Sequence, residues 1–87
     1  MDVYDLLERL RYENVLPNTT SIGEPFREGT YCLEKTHGEW RVFSIERGER
    51  IAETVFDDES PACQKFLTMV LRDSTTRPFD SDTSIDA

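Results

Sequence analysis

Apolar side chains first recur at helical spacing. Val3, Leu6, Leu7 and Leu10 fall at i, i+3, i+4 and i+7, one stripe of an amphipathic helix. Asp2 stands before the stripe as an N-cap, and Asp5 lies near the positive end of the helix dipole. Asn14 and Pro17 bracket the stop, because the residue before a proline avoids helical geometry. From Leu16 to Gly29 the periodicity disappears. Two prolines, two glycines and the run Asn18-Thr19-Thr20-Ser21 predict a loop with a short extended piece around Ile22 or Phe26.

The period then changes to two. Thr30 to Thr36 alternates, with Tyr31 and Leu33 on one side and Cys32 and Glu34 on the other. His37-Gly38 supplies a tight turn, Glu39 to Glu46 a second strand, Arg47-Gly48-Glu49 another turn, and Arg50 to Phe56 a third strand. Such short connections predict an antiparallel β-meander. Neighbours on a strand face opposite ways, so Trp40 and Val42 share one face while Arg41, Phe43 and Ile45 share the other. One face packs under helices. The other, carrying Phe43 among charges, either adds a second packed layer or forms a protein-binding face, and the second reading is the sharper one.

A second helix follows, with Ser60 as N-cap and Pro61 at its first position. Ala62, Cys63, Phe66, Leu67, Met69 and Val70 form its broad apolar face. The pattern fades at Arg72, and the polar residues 73–87 read as a flexible acidic tail. The plan is α+β: an N-terminal helix, a three-stranded antiparallel meander and a C-terminal helix (α-β-β-β-α), making a single domain over residues 1–72. Its sheet has two exposed edges unless a partner or the long loop covers them.

Composition narrows the function. Eighty-seven residues allow one small domain, and 18 acidic against 10 basic side chains give a formal charge of −8. That balance argues against a phosphate-tracking nucleic-acid surface. Apolar runs of three residues at most cannot span a bilayer, and the start lacks the basic and apolar segments of a signal peptide. A cytoplasmic protein with free thiols at Cys32 and Cys63 is expected. No ligand set for zinc is visible, and neither a P-loop nor a GxGxxG run occurs. His37 sits in a turn, and Cys63 lies on the face that must pack, so no nucleophile-base pair is apparent. The expected chain has no catalytic, cofactor or metal site.

Binding remains. Asp57, Asp58 and Glu59 suit the start of the second helix, and Asp73, Asp80, Asp82 and Asp86 lie in the expected tail, so much of the charge is local. An acidic patch must come from the arrangement on the meander and loop. The candidate partner-binding residues are Glu24 and Glu28 in the loop, Phe43, Glu46, Glu49 and Glu53 on the meander, and Asp57 and Asp58 beyond it. They would attract a cationic protein surface.

The sequence Tyr31-x-Leu33, Gly38-x-Trp40-x-Val42, Glu46-Arg47-Gly48-x-Arg50 and Phe56-x-x-Glu59-x-x-Ala62-Cys63-x-x-Phe66 resembles small immunity proteins. These accompany bacterial polymorphic toxins of contact-dependent inhibition and Rhs-type systems. The resemblance covers residues 30–71 and is carried mainly by the tryptophan strand and Glu46-Arg47-Gly48. It implies a cytosolic antidote without catalysis or cofactor, which binds a cognate toxin domain and occludes its active or functional surface. Nucleases are the leading toxin class. Within the shared pattern, Trp40, Val42, Phe56, Ala62 and Phe66 look structural and Gly38 and Gly48 serve turns. Glu46, Arg47 and Arg50 either pair across the second hairpin or face the toxin. The alternative is an acidic adaptor or inhibitor, a DNA mimic or phage-type protein, binding another cationic protein surface.

Overall fold

Asp2 opens the first helix as its spacing predicts. In the computed structural model, which describes residues 1–78, the Asp5 N–H donates to the Asp2 side chain at 2.9 Å and the Asp5 carboxylate accepts from the Asp2 N–H at 3.3 Å. This reciprocal capping satisfies two otherwise orphaned amides. Helix α1 runs Val3–Tyr12 and buries Leu6 and Leu10. Asn14, at φ 61°, turns the chain away in the left-handed region that asparagine tolerates.

Four strands follow, not three. They are β1 (Thr20–Ile22), β2 (Tyr31–Thr36), β3 (Glu39–Glu46) and β4 (Glu49–Phe56), in the spatial order β1-β2-β3-β4. The antiparallel meander of β2, β3 and β4 matches the alternating pattern. The expected short extended piece at Ile22 proves to be a strand, and β1 pairs parallel with β2, making the sheet mixed. Both hairpins turn on two residues with positive φ, His37-Gly38 and Arg47-Gly48, a geometry whose twist matches that of the strands.

Helix α2 (Glu59–Arg72) lies with α1 on one face of the sheet. Leu6 and Leu10 meet Leu33 and Val42 there, together with Ala62, Cys63, Phe66, Leu67 and Val70. Trp40 and Phe56 pack at the margin of that core. The start of α2 differs from expectation. Asp58, not Ser60, holds the N-cap position, with no side-chain capping bond. Ser60 instead accepts from the Met1 ammonium at 3.0 Å, and Glu59 accepts from the Val3 N–H at 2.8 Å. The two helix N-termini are thus tied together, and the positive dipole ends share the Glu59 charge.

The folded chain also extends past Arg72. A 3-10 turn at Ser74–Thr76 buries Thr76, whose hydroxyl donates to the Val70 and Asp73 carbonyls at 2.9 and 2.8 Å. The Leu16 N–H donates to the Thr76 carbonyl at 2.7 Å, so the segment closes the end of the core. The expected tail from residue 73 is therefore corrected over residues 73–77, while its part at residues 79–87 lies outside the described residues.

The sheet face opposite the helices is covered. Residues 23–30 cross over it between β1 and β2, placing the Phe26 ring 5.4 Å from the Phe43 ring in an edge-to-face arrangement. Phe43 is fully buried, although it was expected on an open binding face. Val42 and Phe43 each enter a different packed layer.

Both sheet edges carry a guard. Arg27, on the crossover, donates to the Thr20 carbonyl at the start of β1 and to the Pro17 carbonyl just before it at 3.2 Å, occupying an acceptor of that edge. On β4 the register shifts: Val42 pairs with Thr54 but Ser44 pairs with Ile51, leaving Ala52 and Glu53 against Phe43 alone. Such a bulge interrupts the regular edge that another strand would need. Ala52 takes φ 56° there, a conformation strained for a residue with a Cβ. Ala52→Gly is expected to raise unfolding free energy by about 0.5–1 kcal/mol, the relief of strain exceeding the added chain entropy. Urea titration measures it; a loss of stability would show that the bulge tolerates alanine without strain.

Candidate functional site

The candidate acids divide into those the fold uses and those it leaves free. Glu53 belongs to a chain of ion pairs over the crossover-facing side of the sheet. Arg41 reaches Glu39 at 2.8 Å and Glu53 at 3.2 Å, and Arg50 reaches Glu53 at 3.1 Å and Glu34 at 2.9 Å. The Arg50 guanidinium also lies 4.1 Å from the Phe43 ring centre and 5.8 Å from that of Phe26. A planar cation stacked on aromatic faces seals that layer while keeping its charge paired. The hydrogen bonds that Arg41 donates to Glu39 and Glu53 raise its pKa, and those that Arg50 donates to Glu34 and Glu53 raise its own against the opposing effect of burial. Burial alone would raise the Glu53 carboxyl, but the two guanidinium groups outweigh it and hold it below its usual range.

Glu28 is also consumed by the fold. Its carboxylate accepts from the backbone N–H groups of Arg47 and Gly48, the latter at 2.9 Å. The positive-φ pair of the second hairpin turns consecutive amides toward one point, and Glu28 fills that anion-binding concavity from the crossover. This accounts structurally for Arg47-Gly48. Glu46, Arg47 and Arg50 do not pair with one another across the hairpin: Glu46 stands opposite Glu49, and Arg50 stands opposite Ile45 while pairing with Glu34 on β2 and Glu53 on its own strand.

Glu24 lines a hollow of about 340 Å³ with Gly23, Phe26, Glu34, Lys35 and Thr36. The one buried-side carboxylate in that group, Glu34, is already held by Arg50. Glu46, Glu49, Asp57 and Asp58 are exposed, and none makes a side-chain hydrogen bond or ion pair among the described residues. They stand at the two ends of β4, separated by about 25 Å of strand at roughly 3.3 Å per residue. Between them Ile51 and Val55 are 39% and 46% exposed, and β4 pairs on one side only, with β3.

A second exposed surface has no counterpart in the sequence-derived set. Tyr4 and Tyr12 are each 81% exposed on α1, and Leu7 is 41% exposed beside them. Their signal is the stripe Tyr4, Glu8, Tyr12 at i, i+4 and i+8, opposite the stripe that enters the core. The apolar period draws attention to the buried face and conceals the aromatic one.

The other reactive groups are occupied. Burial pushes the Cys63 thiol up to about 11, and it raises Cys32 against the lowering hydrogen bonds of Thr30 and Ser21. Both cysteines are free and buried. The Tyr31 hydroxyl donates to Asp73 at 2.8 Å; burial, then that carboxylate, pushes the phenol up to about 12. Hydrogen bonds from Thr75 and Tyr31 hold the Asp73 carboxyl below its usual range. Among the described residues, no group of three or more His, Cys, Asp or Glu side chains is placed to hold a metal ion, and no helix is long and apolar enough to cross a membrane. No protein-family model matches the chain, nor does any curated protein or solved structure.

Proposed function

We propose that this chain is an immunity protein, which neutralises a cognate toxin domain by binding and covering its active or functional surface. The observation that supports it is the acid-flanked edge of β4: Glu46 and Glu49 at one end, Asp57 and Asp58 at the other, Ile51 and Val55 exposed between. Unpaired carboxylates project an undiminished field, which speeds encounter with a cationic surface such as that of a nuclease. The exposed aliphatic side chains then supply area that can be desolvated on contact. The acids already paired in the Arg41–Glu53–Arg50 chain contribute to the fold and little to that field. Glu53 and Glu28 therefore leave the binding set, as does the buried Phe43.

The test begins with the neighbouring gene: a large reading frame ending in a toxin-like C-terminal domain is expected there, and that domain is co-expressed with this chain. Cells are expected to survive and a complex to co-purify; death regardless of this protein, with no complex, would end the proposal. Reversing all four acids (Glu46→Lys, Glu49→Lys, Asp57→Lys, Asp58→Lys) is expected to slow association roughly 10- to 100-fold at low salt. The gap should narrow at high salt, as screening shortens the reach of exposed charge. Equal on-rates for both proteins would remove the acidic edge from the mechanism.

A further inference from the structure

The outer face of α1 is the largest aromatic exposure among the described residues, and its charge differs from that of the β4 edge. Tyr4, Glu8 and Tyr12 rise from one line of the helix, and Leu7 and Arg11 from the next. Beside that second line lies an apolar groove of about 360 Å³, lined by Leu7, Leu10, Val15, Pro17 and Ile22, with Arg11 at its margin. Tyrosine exposed to this degree, next to aliphatic surface, is the residue type that concentrates binding energy at interfaces.

The charges on this face balance. Arg9 is taken by Glu13 at 2.8 Å, and Asp5, which caps the Asp2 N–H, borders the same hollow as Met1 with its terminal ammonium. Glu8 and Arg11 remain, one of each sign, with no side-chain bond among the described residues. The face is therefore close to neutral, unlike the acidic ends of β4. Opposite charges three residues apart on one helix are complementary to the same helix running the other way.

We infer that the outer face of α1 is a self-association surface, on which a second copy of this chain packs its own α1 antiparallel across a two-fold axis. The axis passes between the two helices at the level of Arg9 and Leu10. Each Glu8 then meets the partner's Arg11, with Tyr12 flanking that pair on one side and Leu7 on the other. Such an interface is isologous, so every favourable contact occurs twice. A cationic toxin would find no excess of carboxylates on this face, which is why a second copy fits it better. Edge-to-edge pairing of two sheets is the less suitable route to a dimer, because Arg27 occupies the Thr20 carbonyl of the three-residue β1 and the Ala52 bulge breaks β4. The contact is one helix wide, and a weak, concentration-dependent dimer follows from its size.

Sedimentation equilibrium over a concentration series tests the inference on the whole chain. The mass is expected to rise from 10.1 kDa toward twice that value. Tyr12→Glu and Glu8→Arg should each keep the chain monomeric. The reversal turns two attractive pairs into two repulsive ones and weakens association by about tenfold or more. The double variant Glu8→Arg with Arg11→Glu restores opposite charges across the axis and should dimerise again. Circular dichroism melts confirm that each variant is folded; all three substituted positions are exposed, so melting should change little. A wild-type chain monomeric throughout the series overturns the inference, as does a dimer indifferent to Tyr12→Glu and Glu8→Arg. A folded double reversal that stays monomeric overturns it too. Toxin binding gives an independent readout. The α1 variants should retain the complex and the β4 charge reversals should retain the dimer, so either reading can fail without the other. Loss of toxin binding on Tyr12→Glu, in a chain that never dimerises, would assign the face to the toxin instead.

Discussion

Phe43→Ala is expected to cost about 3–5 kcal/mol, the range for truncating a fully buried phenylalanine. A small domain has only about 5–15 kcal/mol in total, so the variant should be largely unfolded at temperatures where the parent is native. Three contributions combine in that loss. The side chain fills the layer between the sheet and the crossover, its ring meets Phe26 edge to face, and the Arg50 guanidinium lies over it. With the ring removed, Arg50 keeps its carboxylates but loses the apolar surface that held it flat above the sheet. Denaturant titration at neutral pH gives the value directly. A change below about 1 kcal/mol would mean that the crossover does not cover this face, and that Phe43 is available to a partner after all.

The second large effect concerns the end of the folded chain. A protein stopped after Arg72 is expected to be less stable by about 3 kcal/mol, since half-buried polar groups lose partners worth about 1–3 kcal/mol each and the end of the core loses its cover. Leu16 loses the acceptor of its N–H, the Tyr31 hydroxyl loses Asp73, and the buried Thr76 side chain leaves the end of α2. Thr76→Ala alone should account for about 1–2 kcal/mol, because the Thr76 backbone carbonyl still serves Leu16. The two proteins are compared by their urea midpoints. If the shortened chain unfolds with the full-length one, residues 73–77 merely lie against the core.

The elements readable from the sequence are those in which a period repeats long enough to be distinguished. Ten residues in α1 and fourteen in α2 show a clear apolar stripe, and the strands from Tyr31 to Phe56 alternate around two glycine-containing turns. Thr20-Ser21-Ile22 is too short to show alternation, and its strand character depends on pairing with β2. Phe43 misleads for a related reason. Alternation correctly assigns it to the face opposite the helices, but its burial depends on Phe26, 17 residues earlier, being carried across that face. Glu28 is similar: the amides it caps are 19 and 20 residues away, and no local feature distinguishes it from Glu24. Asp73 to Thr76 reads as tail because the segment is polar, yet it is held by hydrogen bonds that polarity makes available. The candidate site follows the same division. The acids at the ends of β4 were visible by composition, while the aromatic face of α1 was hidden behind the stripe that buries Leu6 and Leu10.

The two-sided sheet separates the cysteines. Cys63 belongs to the helix layer, and Cys32, paired in register with Phe43, belongs to the crossover layer. Both thiols are buried and both are raised, so neither is a ready nucleophile in the closed molecule. The chain consequently carries one silent reporter for each layer. An opening confined to the crossover exposes sulfur at Cys32 alone, whereas one that lifts the helices exposes Cys63. The order in which the two are alkylated would reveal which side of this small sheet breathes first.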